Sequence, residues 1–267
     1  MFSDRGTTAP PPAGPWQYQL QVDTSGRFAS SSGIDMSCTP SVIGAHCARA
    51  RVFDIDLYGA NGRTPNRAAV EAIHRGGGYA ICYVDAGTWE SWRPDAHSFP
   101  RSRLGRPNGW PGERWLDIRH PHVVLAIMAR RITLCKEAGF NAVEFDNVDA
   151  YANSTGFPIT SSEQIIYNRA LAEIAAHVGL AAGLKNDPGQ VRVLEPNFAF
   201  AIDEQCIQFN FCAALAPFIA AHKPVYDVEY VGSPTLVCRE APPRVNVIVK
   251  ELSLDARPWW PCQSMRG

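Results

Sequence analysis

Eight short strand-like runs, most of them separated by helical stretches, constrain this chain more than any other feature. They fall at residues 16–21, 51–58, 79–86, 142–149, 180–186, 198–205, 225–230 and 244–250. Between them, Thr64-Pro65 opens a helix that runs to His74 and is closed by Gly76-Gly77-Gly78. Helical spacing fills 120–138, Thr160 or Ser161 caps a helix to His177, a short helix ends at Leu194, and another spans about 212–222. Strands alternating with helices imply a parallel sheet, and eight such units imply a single-domain α/β fold, the (β/α)8 TIM barrel. A doubly wound sheet is the main competitor, but no Gly-x-Gly-x-x-Gly turn follows the first strand. At 267 residues and 46% hydrophobic content the chain is long enough for one large barrel or two small domains.

The strand at 142–149 places Val143 and Phe145 on one face and Glu144 and Asp146 on the other. Carboxylates turned inward at a strand end are costly to desolvate, so they mark a polar, solvated site or an acid paired with Arg or Lys. The pattern recurs. The C-terminal strand ends, where barrel active sites lie, collect Asp56, Asp85, Asp146, Asn147, Lys185, Glu204, Glu229 and Lys250. The long connection from Thr88 to Asp117 adds Trp89, Trp92, Trp110 and Trp115 among charged residues, suited either to stacking on sugar rings or to plugging the barrel end.

Several chemistries are disfavoured. None of the seven histidines sits at a strand end with ligand spacing, so no metal and no cofactor is expected. There is no Gly-x-Ser-x-Gly elbow for a serine nucleophile. A net charge of -1 leaves no basic footprint for nucleic acid, and no apolar run is long enough to span a bilayer. An acidic mouth rimmed by aromatic residues suits glycoside hydrolysis, with a non-catalytic polysaccharide-binding barrel as the alternative.

Residues 1–15 carry neither the apolar segment nor the basic run of a signal peptide. They read as a disordered Pro-rich leader of the kind left after secretion, ahead of a barrel domain at 16–267. Eight cysteines without a Cys-x-x-Cys pair favour disulfides in an oxidising, extracellular setting. Nearest-neighbour pairing suggests Cys38–Cys47, Cys206–Cys212 and Cys238–Cys262, while Cys82 in mid-strand reads as a buried thiol.

A family resemblance is carried by Ile55-Asp56-Leu57, the run from Cys82 to Glu90, Trp115-Leu116-Asp117-Ile118 and the run from Val143 to Asp149. Gly183-Leu184-Lys185-Asn186, Asp203-Glu204-Gln205-Cys206 and Val228-Glu229-Tyr230 continue it in order. From about Trp16 to Cys262 the chain resembles glycoside hydrolase family 114, the endo-α-1,4-polygalactosaminidases. The resemblance implies a secreted barrel that cleaves α-1,4-linked galactosamine polymers, and a monomer is expected. It implies Asp146 as nucleophile and Glu204 as acid/base of a retaining mechanism, with Glu229 in reserve for the second role.

The other acids then acquire a purpose. Asp56, Asp85, Asp149 and Glu229 would pair with the amines of a cationic amino-sugar polysaccharide. Tyr83 joins them as a binding residue, and Asn147 would hold a sugar hydroxyl or the nucleophile. Lys185 would neutralise part of the acid cluster and keep the nucleophile ionised. One departure is Asp203 where the family pattern has Asn; alternation turns it away from Glu204, so activity is expected to survive.

Overall fold

The computed structural model describes residues 8–22, 33–44 and 46–262. Its barrel strands are β1 (Trp16–Gln19), β2 (Val52–Asp56), β3 (Tyr79–Asp85) and β4 (Ala142–Asp146), followed by β5 (Ala181–Lys185), β6 (Phe200–Glu204), β7 (Val225–Glu229) and β8 (Val245–Val249). They pair in chain order, every pair parallel, and a short antiparallel strand, Trp260–Pro261, flanks β8. All eight expected runs are present, each trimmed at its ends. Among the described residues no backbone ladder joins β1 to β8. Side chains close that seam: Trp16 Nε1 donates to the Asn246 carbonyl at 2.8 Å, and Lys250 Nζ donates to Gln17 Oε1 at 2.7 Å.

The helices are α1 (Arg67–Arg75), α2 (His122–Ala138), α3 (Ser161–Val178), α4 (Val191–Leu194), α5 (Ala216–Ala220) and α6 (Pro234–Glu240). α3 begins as its sequence predicts. Thr160 and Glu163 form a reciprocal capping box, and Gly179 ends the helix in the left-handed region. The helix expected at about 212–222 is instead a 3₁₀ turn, Cys212–Leu215, leading into the short α5, whose first turn holds Pro217. α6 was not anticipated, although Ser233-Pro234 is an ordinary start signal. No helix among the described residues is long and apolar enough to cross a membrane.

Two stretches read as irregular are ordered. The connection after β3 folds into a three-stranded antiparallel sheet, with Glu113–Leu116 between Thr88–Glu90 and Leu104–Pro107. Residues 8–15, expected within a disordered leader, lie against the N-terminal end of the barrel, while residues 1–7 fall outside the described region. Tyrosine hydroxyls make the contact. The hydroxyls of Tyr79 and Tyr226 donate to the carbonyls of Ala9 and Pro12 at 2.9 and 2.8 Å.

Cys38–Cys47, Cys206–Cys212 and Cys238–Cys262 pair as nearest-neighbour spacing suggests. Cys82 is not a buried thiol: it bonds Cys135 and ties β3 to α2 across 53 residues of sequence. By loop-closure entropy such a link contributes about 4 kcal/mol.

The barrel interior is layered. At the bottom, Trp16, Phe200 and Tyr226 pack with ring centroids 5.2 Å (Trp16 to Tyr226) and 6.4 Å (Phe200 to Tyr226) apart. Gly183 makes room, since a Cβ there would lie 2.4 Å from the Phe200 ring. Above this apolar floor sits a buried polar layer of Tyr18, Asp54, Glu144 and Lys185. The mouth follows. Asn147, Asn186 and Gln205, each the residue after a strand's last side chain, have φ of 57°, 49° and 61°. These left-handed turns bend the chain sharply away and leave Asp146, Lys185 and Glu204 at the rim.

Candidate active site

A cavity of about 710 Å³ opens at the C-terminal ends of the strands, with Asp146, Lys185 and Glu204 in its wall. Asp146 is oriented by three donors. Tyr83 Oη donates to Oδ2 at 2.7 Å, Asn147 Nδ2 to the same oxygen at 3.3 Å, and Lys185 Nζ to Oδ1 at 3.2 Å. Glu204 accepts a hydrogen bond from the Tyr230 hydroxyl, and its Oε2 lies 3.5 Å from Lys185 Nζ. The Glu204 backbone N–H donates to Asn186 Oδ1 at 2.9 Å, which fixes the strand end. The two carboxylates stay part exposed, at 17% and 27% of their side-chain surface, whereas Lys185 is buried.

Lys185 ties the site together. Its ammonium also donates to Glu144 Oε1 at 2.8 Å and to the Tyr18 hydroxyl at 3.0 Å. Burial alone would discharge it, but Asp146, Glu144 and Glu204 outweigh burial and hold its pKa well above the ordinary lysine value. The Asp146 and Glu204 oxygens facing it are therefore no further apart than its two distances combined, about 6.7 Å.

The remaining expected residues divide. Asp56 lines the cavity but is clamped by Arg93, both oxygens accepting at 2.7 Å, so its charge is already matched. Asp149, Tyr83 and Asn147 line the cavity too. Burial, then the nearby Asp146, raises the Asp149 carboxyl above its usual range. Asp85 lies behind the wall. It is fully buried, accepting from Gly87 N at 3.2 Å, Thr88 N at 2.8 Å and Asn147 Nδ2 at 3.0 Å, and burial pushes its pKa well up. Gly87 is obligatory in this corner, because a Cβ would fall 1.6 Å from the Asn147 carbonyl oxygen.

Glu229 also stands apart from the cavity. It is buried on the outer face of β7, where Oε1 accepts from Ile207 N at 2.7 Å and Gln208 N at 3.4 Å. The Asp203 side chain is wholly buried, neither oxygen has a hydrogen-bond partner among the described residues, and burial holds it well above the carboxylate range. Lys250 closes the β1 and β8 seam rather than facing the cavity, and burial lowers its pKa to about 7.

A glycoside-hydrolase family model, GH114, matches residues 2–265. The chain belongs to that family. A GH114 member is a glycoside hydrolase, and the barrel mouth just described is where the fold places its chemistry. Among solved structures, the chain is similar to Aspergillus fumigatus Ega3 in complex with galactosamine, at 28% identity and a TM-score of 0.77, covering 96% of this chain and 98% of that one. The glycoside hydrolase domain of PelA from Pseudomonas aeruginosa matches at 14% identity and a TM-score of 0.59, covering 92% and 96%, and shares the fold. No curated protein sequence matches the chain.

Several residues of this GH114 site escape a reading of the sequence. Tyr230 is one that strand parity could have found: Tyr226 and Val228 belong to the inner face of β7, so Tyr230 and not Glu229 continues it. Tyr18 carries the same signal on β1, two residues from the inward Trp16. Glu113 has no such signal, because it reaches the cavity from the middle strand of the antiparallel sheet after β3. Trp92 and Trp110, half exposed, line the same cavity.

Proposed function

We propose that this GH114 enzyme is a secreted endo-acting hydrolase of α-1,4-linked galactosamine polymers, with Asp146 as nucleophile and Glu204 as acid/base. The observation that carries the reading is the single ammonium shared by both carboxylates, at 3.2 Å from Asp146 and 3.5 Å from Glu204. Retaining glycosidases hold their acids about 5–5.5 Å apart and inverting ones about 6.5–9.5 Å, and the ceiling imposed by Lys185 admits the first class and leaves only the short end of the second. Asp146, with three donors aimed at it, is oriented for attack on the anomeric carbon. Glu204 delivers its proton to the leaving glycosidic oxygen, then takes one from the water that releases the glycosyl-enzyme.

The cavity also suits a cationic chain. Asp149 and Glu113 stand in its wall with no arginine partner among the described residues and can meet a substrate ammonium, Glu113 while Asn108 and Thr88 hold one of its oxygens, and Trp92 and Trp110 offer ring faces to sugar C–H surfaces. Galactosamine in the Ega3 crystal structure supports the sugar class. Four disulfides support an oxidising, extracellular location.

The test is a product profile on acetylated and deacetylated α-1,4-galactosamine oligomers, run beside Asp146→Asn and Glu204→Gln. Shorter deacetylated oligomers with retained anomeric configuration are expected, and each variant should lose several orders of magnitude in turnover. Binding without new reducing ends would mean a sugar-binding barrel instead. Near-normal turnover in either variant would reassign that residue.

A further inference from the structure

Below the mouth, two carboxyl groups meet where only one can be charged. Asp54 on β2 and Glu144 on β4 are both wholly buried. Glu144 Oε1 is taken by Lys185 Nζ at 2.8 Å and Tyr18 Oη at 3.2 Å. Its Oε2, and both oxygens of Asp54, receive no N–H or hydroxyl donor among the described residues. The two side chains face each other within hydrogen-bonding reach. Carboxylates can bond to each other only through a proton carried by one of them, and an ionised, undonated acid at this depth would be very costly.

We propose that Asp54 and Glu144 share one proton inside the barrel, and that this acid pair is the positioning unit that holds the Lys185 ammonium between Asp146 and Glu204. The proton resides on Asp54. Burial raises both carboxyls; Glu144 adds to it and pushes Asp54 well above the carboxylate range, whereas Lys185 and the bond from Asp54 pull Glu144 back toward ionisation. The order upward through the barrel is then neutral acid, carboxylate, ammonium, and the two mouth carboxylates. Glu144 matches the ammonium from below at 2.8 Å, closer than the 3.2 and 3.5 Å to Asp146 and Glu204, so Lys185 is anchored by a group outside the reaction.

The anchor has a purpose in the reaction proposed above, on which this role rests. When Asp146 becomes an ester its charge disappears, and an ammonium held only by Asp146 would be released. Fixed by Glu144, it stays in place and its field falls on Glu204 alone, favouring the ionised form that must next accept a proton from water. The charged and titratable groups around this layer are Tyr18 from β1, Asp54 from β2, Tyr83 from β3, Asp146 from β4, Glu204 from β6, with Asp203 behind it, and Tyr230 after β7.

Asp54→Asn and Glu144→Gln test the proposal through the pH profile of kcat/KM on a deacetylated galactosamine oligomer and through infrared difference spectra. Asparagine donates an N–H to the same Glu144 oxygen and leaves Glu144 charged, so both limbs of the profile stay in place. The protonated-acid carbonyl band present in the wild type at neutral pH is lost. Glu144→Gln removes one negative charge from the ammonium's surroundings, which draws Asp146 and Glu204 harder toward ionisation and moves both limbs to lower pH by about one unit. A displaced profile in Asp54→Asn, no lost acid band, or an unmoved profile in a folded Glu144→Gln would each overturn the proposal. Should Glu144→Gln not fold, the Asp54→Asn band decides alone. That band does not depend on which residues are catalytic, so it separates failure here from failure of the Asp146 and Glu204 roles.

Discussion

The hydroxyl of Tyr83 donates to Asp146 Oδ2 from 2.7 Å, and so spans from β3 to the proposed nucleophile on β4. A hydrogen bond to a charged group is worth about 1.5–3 kcal/mol, and this one is aimed at the oxygen that Lys185 does not reach. Tyr83→Phe keeps the ring and removes only the donor. Its kcat/KM on galactosamine oligomers is expected to fall roughly 10- to 100-fold. An unchanged value would mean that the hydroxyl does not orient Asp146 during turnover.

Glu229 and Tyr230 exchange the roles their positions in sequence suggest. Glu229 receives the backbone N–H groups of Ile207 and Gln208 behind the cavity, whereas Tyr230 touches Glu204 inside it. Glu229→Gln is therefore expected to lower the melting temperature while kcat stays within about threefold, because an acid/base residue would instead cost at least ~100-fold. Thermal denaturation beside steady-state kinetics separates the two.

Trp110 stands half exposed on the antiparallel sheet that overhangs the mouth. If it stacks on a sugar several units from the cleaved bond, Trp110→Ala should raise KM for long polymer by up to about tenfold and leave the shortest cleavable oligomer little affected. Equal losses on both would place its contact beside the reacting sugar.

Asp187, just beyond β5, is wholly buried against Tyr151 and Asn168, and burial raises its pKa to about 8. A carboxyl with a raised folded-state pKa keeps its proton longer in the native chain than in the unfolded one. The wild type thus loses stability relative to Asp187→Asn as pH rises from about 4, the unfolded value, to about 8. The difference in unfolding free energy should grow by at most about 1.4 kcal/mol per pH unit and level off above pH 8. Urea titrations across that range measure it, and a flat difference would show Asp187 ionised throughout.

The barrel was legible in the chain because most strands repeat the same local pattern: a short alternating run with an acid or lysine at its end. Asp146, Lys185 and Glu204 follow from that pattern and meet in one cavity. What was not legible depends on contacts between distant residues. Cys82 looks like any apolar strand residue until α2 brings Cys135 over it. Residues 8–15 have no periodicity, and the hydroxyls that hold them belong to Tyr79 and Tyr226, far along the chain. Asp85 shares the inward parity of Tyr83, yet the turn at Gly87 and Thr88 covers it. For Glu229 the error is one of register, since a one-residue step along a strand exchanges cavity for helix layer.

The seam between β1 and β8 has an implication for how this enzyme moves. Eight strands in a ring place β4 and β5 diametrically across from that gap, so the carriers of Asp146 and Lys185 sit where the ladder is continuous on both sides. Loosening can begin at Trp16 and Asn246, where a few side chains substitute for a row of backbone bonds, and die out before it crosses the ring. Amide exchange that is fast in β1 and β8 and slow in β4 and β5 would be the mark of a hydrolase that keeps its compliance on the wall furthest from its reacting acids.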